Sequence, residues 1–137
     1  DVNVDKMAAA KARELEQKGA IVIVEGRTQF HFLPESVKIY IKVNPEEGAK
    51  RIWKDLQNKT IQEKRNEGSI TSFEAMKKRI YEREEEDAAR YKKYYNIDHR
   101  DESQYDLIID TTFITPEQAV EKIISFITSR KNLKGRS

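Results

Sequence analysis

The 137 residues suit one domain, and their 26 basic and 24 acidic side chains are interleaved along the chain. That near balance excludes a one-signed nucleic-acid surface and leaves room for a small anion gripped by a few arginines. With no cysteine, disulfide and thiol chemistry are excluded, which suits a cytoplasmic protein; no apolar run approaches membrane-spanning length.

The chain opens on Asp1-Val2-Asn3-Val4-Asp5-Lys6, without signal-peptide character or an initiator Met, as a processed, trimmed or incomplete chain would. Residues Val4 to Lys18, rich in Ala, Glu, Lys and Arg, predict an amphipathic helix that Gly19 stops. Ala20-Ile21-Val22-Ile23-Val24 is a short unbroken apolar run, the pattern of a parallel strand buried on both faces. It ends in Glu25-Gly26-Arg27. A linker from Thr28 to Ser36 holds Phe30, His31, Phe32 and Pro34.

Val37 to Val43 alternates as a second strand. Asn44-Pro45-Glu46-Glu47 then supplies an N-cap, a first-turn proline and early carboxylates, predicting a helix to about Asn58. Lys59 to Ile70 is polar and reads as a mobile segment. Thr71-Ser72-Phe73-Glu74 has the capping-box spacing and opens a long helix to about Tyr95. A polar loop, Asn96 to Gln104, leads to a third strand, Tyr105 to Asp110. Thr115-Pro116-Glu117-Gln118 starts a last helix with an apolar stripe of Val120, Ile123, Ile124 and Ile127. Strands alternating with helices predict an α/β layered fold with a parallel sheet, a single domain over 1–137.

Three constellations could carry chemistry. Ligands of open α/β sheets sit at the carboxyl ends of strands. At that place Gly26 would let backbone or ligand approach, and Arg27 could clamp an anion through two parallel hydrogen bonds. By itself the tripeptide also fits a loop with a surface arginine. On the long helix, Arg83, Asp87 and Arg90 fall within about 60° of one another, with Arg79 beside them. This stripe adjoins the apolar one of Ile80, Ala88, Tyr91 and Tyr95, so it lies at the edge of the core. It could bind a phosphate, or be a solvated face with i,i+4 ion pairs, which Glu82, Glu84, Glu85 and Glu86 would also suit. The basic segment with Arg51, Lys54, Lys59, Lys64 and Arg65 reads as a lid over phosphates or as a solvated loop. His31 and His99 lack metal-ligand spacing and read as structural or exposed. Trp53, Tyr91, Tyr94 and Tyr95 read as core rather than a stacking platform.

Taken in order, these pieces resemble the cytidylate kinases, P-loop nucleoside monophosphate kinases, especially their short archaeal-type branch, from about Asp5 to about Ile127. Ile21 to Arg27 looks like the family's strand followed by an acidic residue, Gly and Arg. Val37 to Val43 with Asn44-Pro45-Glu46-Glu47 and Ala49-Lys50-Arg51 looks like the next strand and the lid-bearing helix. Tyr81 to Tyr91, continued by Tyr94-Tyr95-Asn96-Ile97-Asp98, looks like the Arg/Asp/Arg helix. Tyr105 to Thr111 and the Thr115-Pro116-Glu117 helix look like the closing strand and helix.

The resemblance implies a three-layer kinase fold that transfers the γ-phosphate of ATP to CMP or dCMP with Mg²⁺. Arg27 would hold the CMP phosphate, Arg83 and Arg90 would reach the phosphates, and Asp87 would help hold the sugar. Arg51 would belong to a lid at about 51–72. The chain departs from the pattern at one decisive point. None of Gly19, Gly26, Gly48, Gly68 and Gly135 belongs to a G-x-x-x-x-G-K-[ST] loop, so the family's phosphate nest, its lysine and its Mg²⁺ hydroxyl are absent. Without the first strand and that loop, strand edges and apolar faces would lie open. Two readings follow. One is a complete enzyme of which this chain, alone inactive, is the acceptor, lid and C-terminal portion. The other is a non-catalytic nucleotide-phosphate-binding or interaction module of the same ancestry. CMP, dCMP or UMP preference and a monomeric or dimeric state stay open.

Overall fold

The computed structural model describes residues 2–58 and 72–134, with side chains to residue 131. Helix α1 runs Val2–Gln17. Gly19 then adopts φ +89°, a left-handed turn open to glycine, and its N–H donates to the Glu16 carbonyl at 2.9 Å. A short helix α2, Gln29–Phe32, follows. The Arg13 guanidinium donates to Glu35 at 2.7 Å and to the Phe32 carbonyl at 2.9 Å, holding α1 against the turn after α2.

The strand expected at 20–24 does not form: these residues have no ladder among the described residues. Their alternation survives. Val22 and Val24 lean on the α1 cluster of Ala9, Ala12 and Leu33, whereas Ile21 and Ile23 are 88% and 92% exposed. A strand needs hydrogen bonds from a neighbouring strand, and none among the described residues supplies them to 20–24. The run therefore keeps one buried face instead of the two expected.

Strand β1, Ile39–Lys42, and strand β2, Leu107–Asp110, pair in parallel, with Ile39 opposite Leu107 and Lys42 opposite Asp110. Both are shorter than the runs that announced them. Asp106 sets the start of the ladder: its N–H donates to the Lys38 carbonyl and its carboxylate accepts from the Lys38 N–H, each at 2.7 Å. Helices α3, Pro45–Asn58, and α4, Phe73–Tyr95, make the crossover. The Asn44 side chain accepts from the Glu46 N–H at 2.9 Å, the cap read from sequence. At α4 the cap is Ser72, whose hydroxyl accepts from the Ala75 N–H at 3.1 Å; Glu74 thus sits one position short of the capping-box place. Asn96 in the left-handed region (φ 55°) ends α4. Ala49 and Met76 are buried where α3 meets α4, and Lys77 donates to Glu46 there at 2.6 Å.

A single 3₁₀ turn, Glu102–Gln104, precedes β2, and helix α5, Pro116–Lys134, closes the chain. Its start is a reciprocal box: the Thr115 hydroxyl accepts from the Gln118 N–H at 3.1 Å, and the Gln118 amide oxygen accepts from the Thr115 N–H at 2.9 Å. The predicted stripe of α5 is only partly covered, since Val120 and Ile124 remain exposed. The lid expected at about 51–72 falls largely at 59–71, outside the described residues. Among the described residues no helix is long and apolar enough to cross a membrane.

Candidate active site

Glycine at 26 is required by a close approach: a Cβ there would stand 2.9 Å from Gln29 Cγ, and Gln29 is buried. The backbone therefore turns tightly over Gln29 and presents Arg27 at the surface. The Arg27 guanidinium pairs with the Asp87 carboxylate on α4. Arg90, one turn on, donates to the other oxygen of the same carboxylate at 2.7 Å. Asp87 is only 17% exposed, while the arginines it joins are 60% and 55% exposed. One shielded acid thus holds two outward-facing cations side by side, the arrangement a phosphate exploits with two fork-shaped donors. Arg90 also lies 5.5 Å from the centre of the Tyr91 ring.

These groups flank a pocket of about 470 Å³ lined by Val2, Asp5, Arg27, Thr28, Arg90, Tyr91, Tyr94 and Tyr95. Tyr91 and Tyr95 are therefore pocket wall as well as packing, whereas Tyr94, read as core, is 61% exposed. Behind the wall, Tyr91 and His99 meet edge to face at 5.1 Å. His99 is buried, as a structural histidine, and burial pushes its imidazole below the ordinary value, with Arg100 adding to the effect. Among the described residues its Nδ1 has no hydrogen-bond partner.

Asp5 was not foreseen as a pocket residue. Its Oδ2 accepts from the Thr28 hydroxyl at 3.2 Å and the Tyr95 hydroxyl at 3.1 Å, and its Oδ1 accepts from Gln29 Nε2 at 3.3 Å. One carboxylate so ties α1, the turn after Arg27 and the end of α4. Desolvation and then the Asp5 bond push the Tyr95 hydroxyl above its ordinary value.

The remaining candidates lie elsewhere. Arg79 and Arg83 are exposed on α4, and neither makes a hydrogen bond or ion pair among the described residues. Arg51 sits on α3 and grips the loop after β2: it donates to the Thr111 carbonyl at 2.7 Å, with Glu47 at 3.3 Å on its other side. The Arg/Asp/Arg stripe is thus divided: Arg90 lines the pocket and Asp87 joins it to Arg27, whereas Arg79 and Arg83 turn to solvent. Among the described residues no three His, Cys, Asp or Glu side chains converge as a metal site.

A family model for cytidylate kinase matches residues 2–129. The chain belongs to the cytidylate kinase family. Cytidylate kinases similar to it include that of Methanothrix thermoacetophila, 40% identical over 108 residues covering 79% of this chain and 55% of the relative. That of Pyrobaculum islandicum is 29% identical across 91% of this chain and 61% of the relative. That of Methanobrevibacter smithii is 30% identical across 89% and 63%. The chain therefore spans little more than half the length of these cytidylate kinases. No solved structure matches it. Membership fixes the fold class as the α/β fold of P-loop kinases, of which the parallel β1–β2 pair and its helical crossover are a part.

Proposed function

We propose that the complete protein transfers the γ-phosphate of ATP to CMP or dCMP in the cytoplasm, and that these 137 residues carry its acceptor side. The observation that carries this reading is the Arg27–Asp87–Arg90 cluster at the rim of the tyrosine-walled pocket. A nucleoside monophosphate matches it in kind: a dianion for two guanidiniums and a flat base for the rings. On binding, the phosphate would take over the two arginines and leave the Asp87 carboxylate for a sugar hydroxyl. Arg83, unpaired among the described residues on the same helix, would join the phosphates. Arg51 and the segment after it would close over ATP, which requires Arg51 to leave the Thr111 carbonyl. Phosphoryl transfer asks for such positioning and charge neutralisation more than for a covalent nucleophile.

Apart from that lid, the donor side is largely missing from this chain. The sequence holds no G-x-x-x-x-G-K-[ST] loop. The chain by itself is accordingly a nucleotide-phosphate-binding portion without catalysis. A coupled ADP-release assay tests both halves. The complete protein should turn over ATP with CMP, and the purified 137-residue chain should not. Transfer by this chain alone would overturn the division between acceptor and donor sides.

A further inference from the structure

The turn that carries Arg27 is joined to α4 at two places. One is the Arg27–Asp87 ion pair, with Arg90 on the same carboxylate. The other runs through Asp5, which accepts from Thr28, the residue after Arg27, from Gln29, and from Tyr95, the last residue of α4. The first joint is weak, because both its arginines are more than half exposed and such pairs hold little against solvent and salt. In the second, Thr28 and Gln29 are buried, and hydrogen bonds to a carboxylate are strengthened by its charge. The two joints also differ in what an anion does to them. A dianion that takes the two guanidiniums displaces Asp87, so the first joint is given up just when the arginines must stay side by side. The Asp5 joint uses neither arginine and persists.

We infer that Asp5 is a positioning residue: through Thr28, Gln29 and Tyr95 it fixes the turn bearing Arg27 against the helix bearing Arg90, and so holds the two-arginine grip in shape for a phosphate dianion. This rests on the nucleotide reading above, and it makes Asp5 the organiser of the grip and Asp87 its competitor. Gly26 belongs to the same device. Lacking a Cβ, it lets the backbone lie closely on Gln29, so a side chain that Asp5 holds supports the residue directly before Arg27. Preorganised donors gain affinity because the ligand does not have to order them.

Calorimetric titration of the chain with CMP and with inorganic phosphate, which needs the grip alone, tests the assignment. Asp5→Asn and Asp5→Ala remove the same charge and differ in the clamp. The Asn oxygen can still accept from Thr28 and Tyr95, and its amide can donate to Gln29 Oε1, a buried atom without a hydrogen-bond partner among the described residues; Ala can do neither. Asp5→Asn should therefore bind both ligands about fivefold or more tighter than Asp5→Ala, and Tyr95→Phe, which alters no charge, should weaken both about threefold or more. In an Arg27→Ala background these differences should shrink to within about twofold, because the clamp acts through Arg27. Equal binding by Asp5→Asn and Asp5→Ala would overturn the inference. So would unchanged affinities in Tyr95→Phe, which decides the matter should Asp5→Ala fail to fold. Differences that persist in full without Arg27 would overturn it as well, making the network a general support of the fold, as would an effect on CMP with none on phosphate, the mark of a nucleoside contact. Binding of neither ligand by the unaltered chain would overturn the nucleotide reading. The positioning role then rests on the NMR signals of the Arg27 guanidinium: restrained in the unaltered chain and averaged in Tyr95→Phe supports it, and identical signals in both overturn it.

Discussion

Replacing Asp87 by Asn separates what this carboxylate does for the fold from what it does to an anion. In the structure it accepts from both Arg27 and Arg90. Both cations are more than half exposed, so each pair contributes only about 0.2–1 kcal/mol after screening. Their joint loss should lower the melting temperature by roughly 4 °C, corresponding to about 1 kcal/mol. Anion binding should move the other way. A unit negative charge taken about 6 Å from a bound phosphate removes about 0.7 kcal/mol of repulsion per phosphate charge at the dielectric constant of water, and more at lower values. Inorganic phosphate should therefore bind Asp87→Asn roughly threefold to tenfold more tightly at low salt, and the gain should shrink as salt screens it. CMP should gain less, because it forfeits the sugar contact proposed for Asp87. Titration calorimetry with phosphate and CMP reads both effects, and scanning calorimetry reads the stability. Weaker phosphate binding by the variant would refute the reasoning and make Asp87 an organiser of the arginines instead of their competitor.

Three further outcomes are expected. Arg83→Ala in the complete protein should raise KM for the monophosphate at least tenfold while stability stays within about 0.5 kcal/mol, the usual range for an exposed side chain; steady-state kinetics and thermal melts check it. Met76→Ala should cost about 2–5 kcal/mol by opening a cavity between α3 and α4, read by urea unfolding. His99 has its pKa lowered by burial, so the folded state refuses a proton that the unfolded chain takes up. Stability should be fully present above about pH 6.5 and fall as pH drops towards the lowered folded value, with a slope of at most about 1.4 kcal/mol per pH unit from this group. Unfolding measured between pH 5 and 8 should show that slope, and His99→Gln should remove it.

Much of the helical framework was legible in the sequence because its signals are local. Asn44, Gly19 and the Thr115–Gln118 pair each act within a turn of their own position. Ser72 shows the limit of such patterns: a run of adjacent hydroxyl residues leaves the cap uncertain by one place, and the side chain that reaches an N–H decides it. Strands are legible only where their partners are present. Ile39–Lys42 and Leu107–Asp110 find each other, whereas 20–24 has the composition of a strand and no ladder, because the hydrogen bonds that define one belong to another segment. The site divides in the same way. Helical spacing placed Arg83, Asp87 and Arg90 on one stripe, and its place after an apolar run marked Arg27 as an anion clamp, but nothing local joined Arg27 to Asp87, 60 residues away. Asp5 gave no signal at all. Nothing in the first turn of an amphipathic helix marks a carboxylate whose partner, Tyr95, is 90 residues away. Arg51 shows the converse, a residue assigned to a lid whose guanidinium here secures the loop after β2.

The central claim is that the acceptor grip resides in these residues, with Arg27 at its centre. The most direct measurement is the CMP affinity of the 137-residue chain beside that of its Arg27→Ala variant, by titration calorimetry at low salt. Binding by the unaltered chain, weakened at least tenfold by Arg27→Ala with the circular dichroism unchanged, is what the account predicts. Equal affinities, or no binding by either protein, would contradict it.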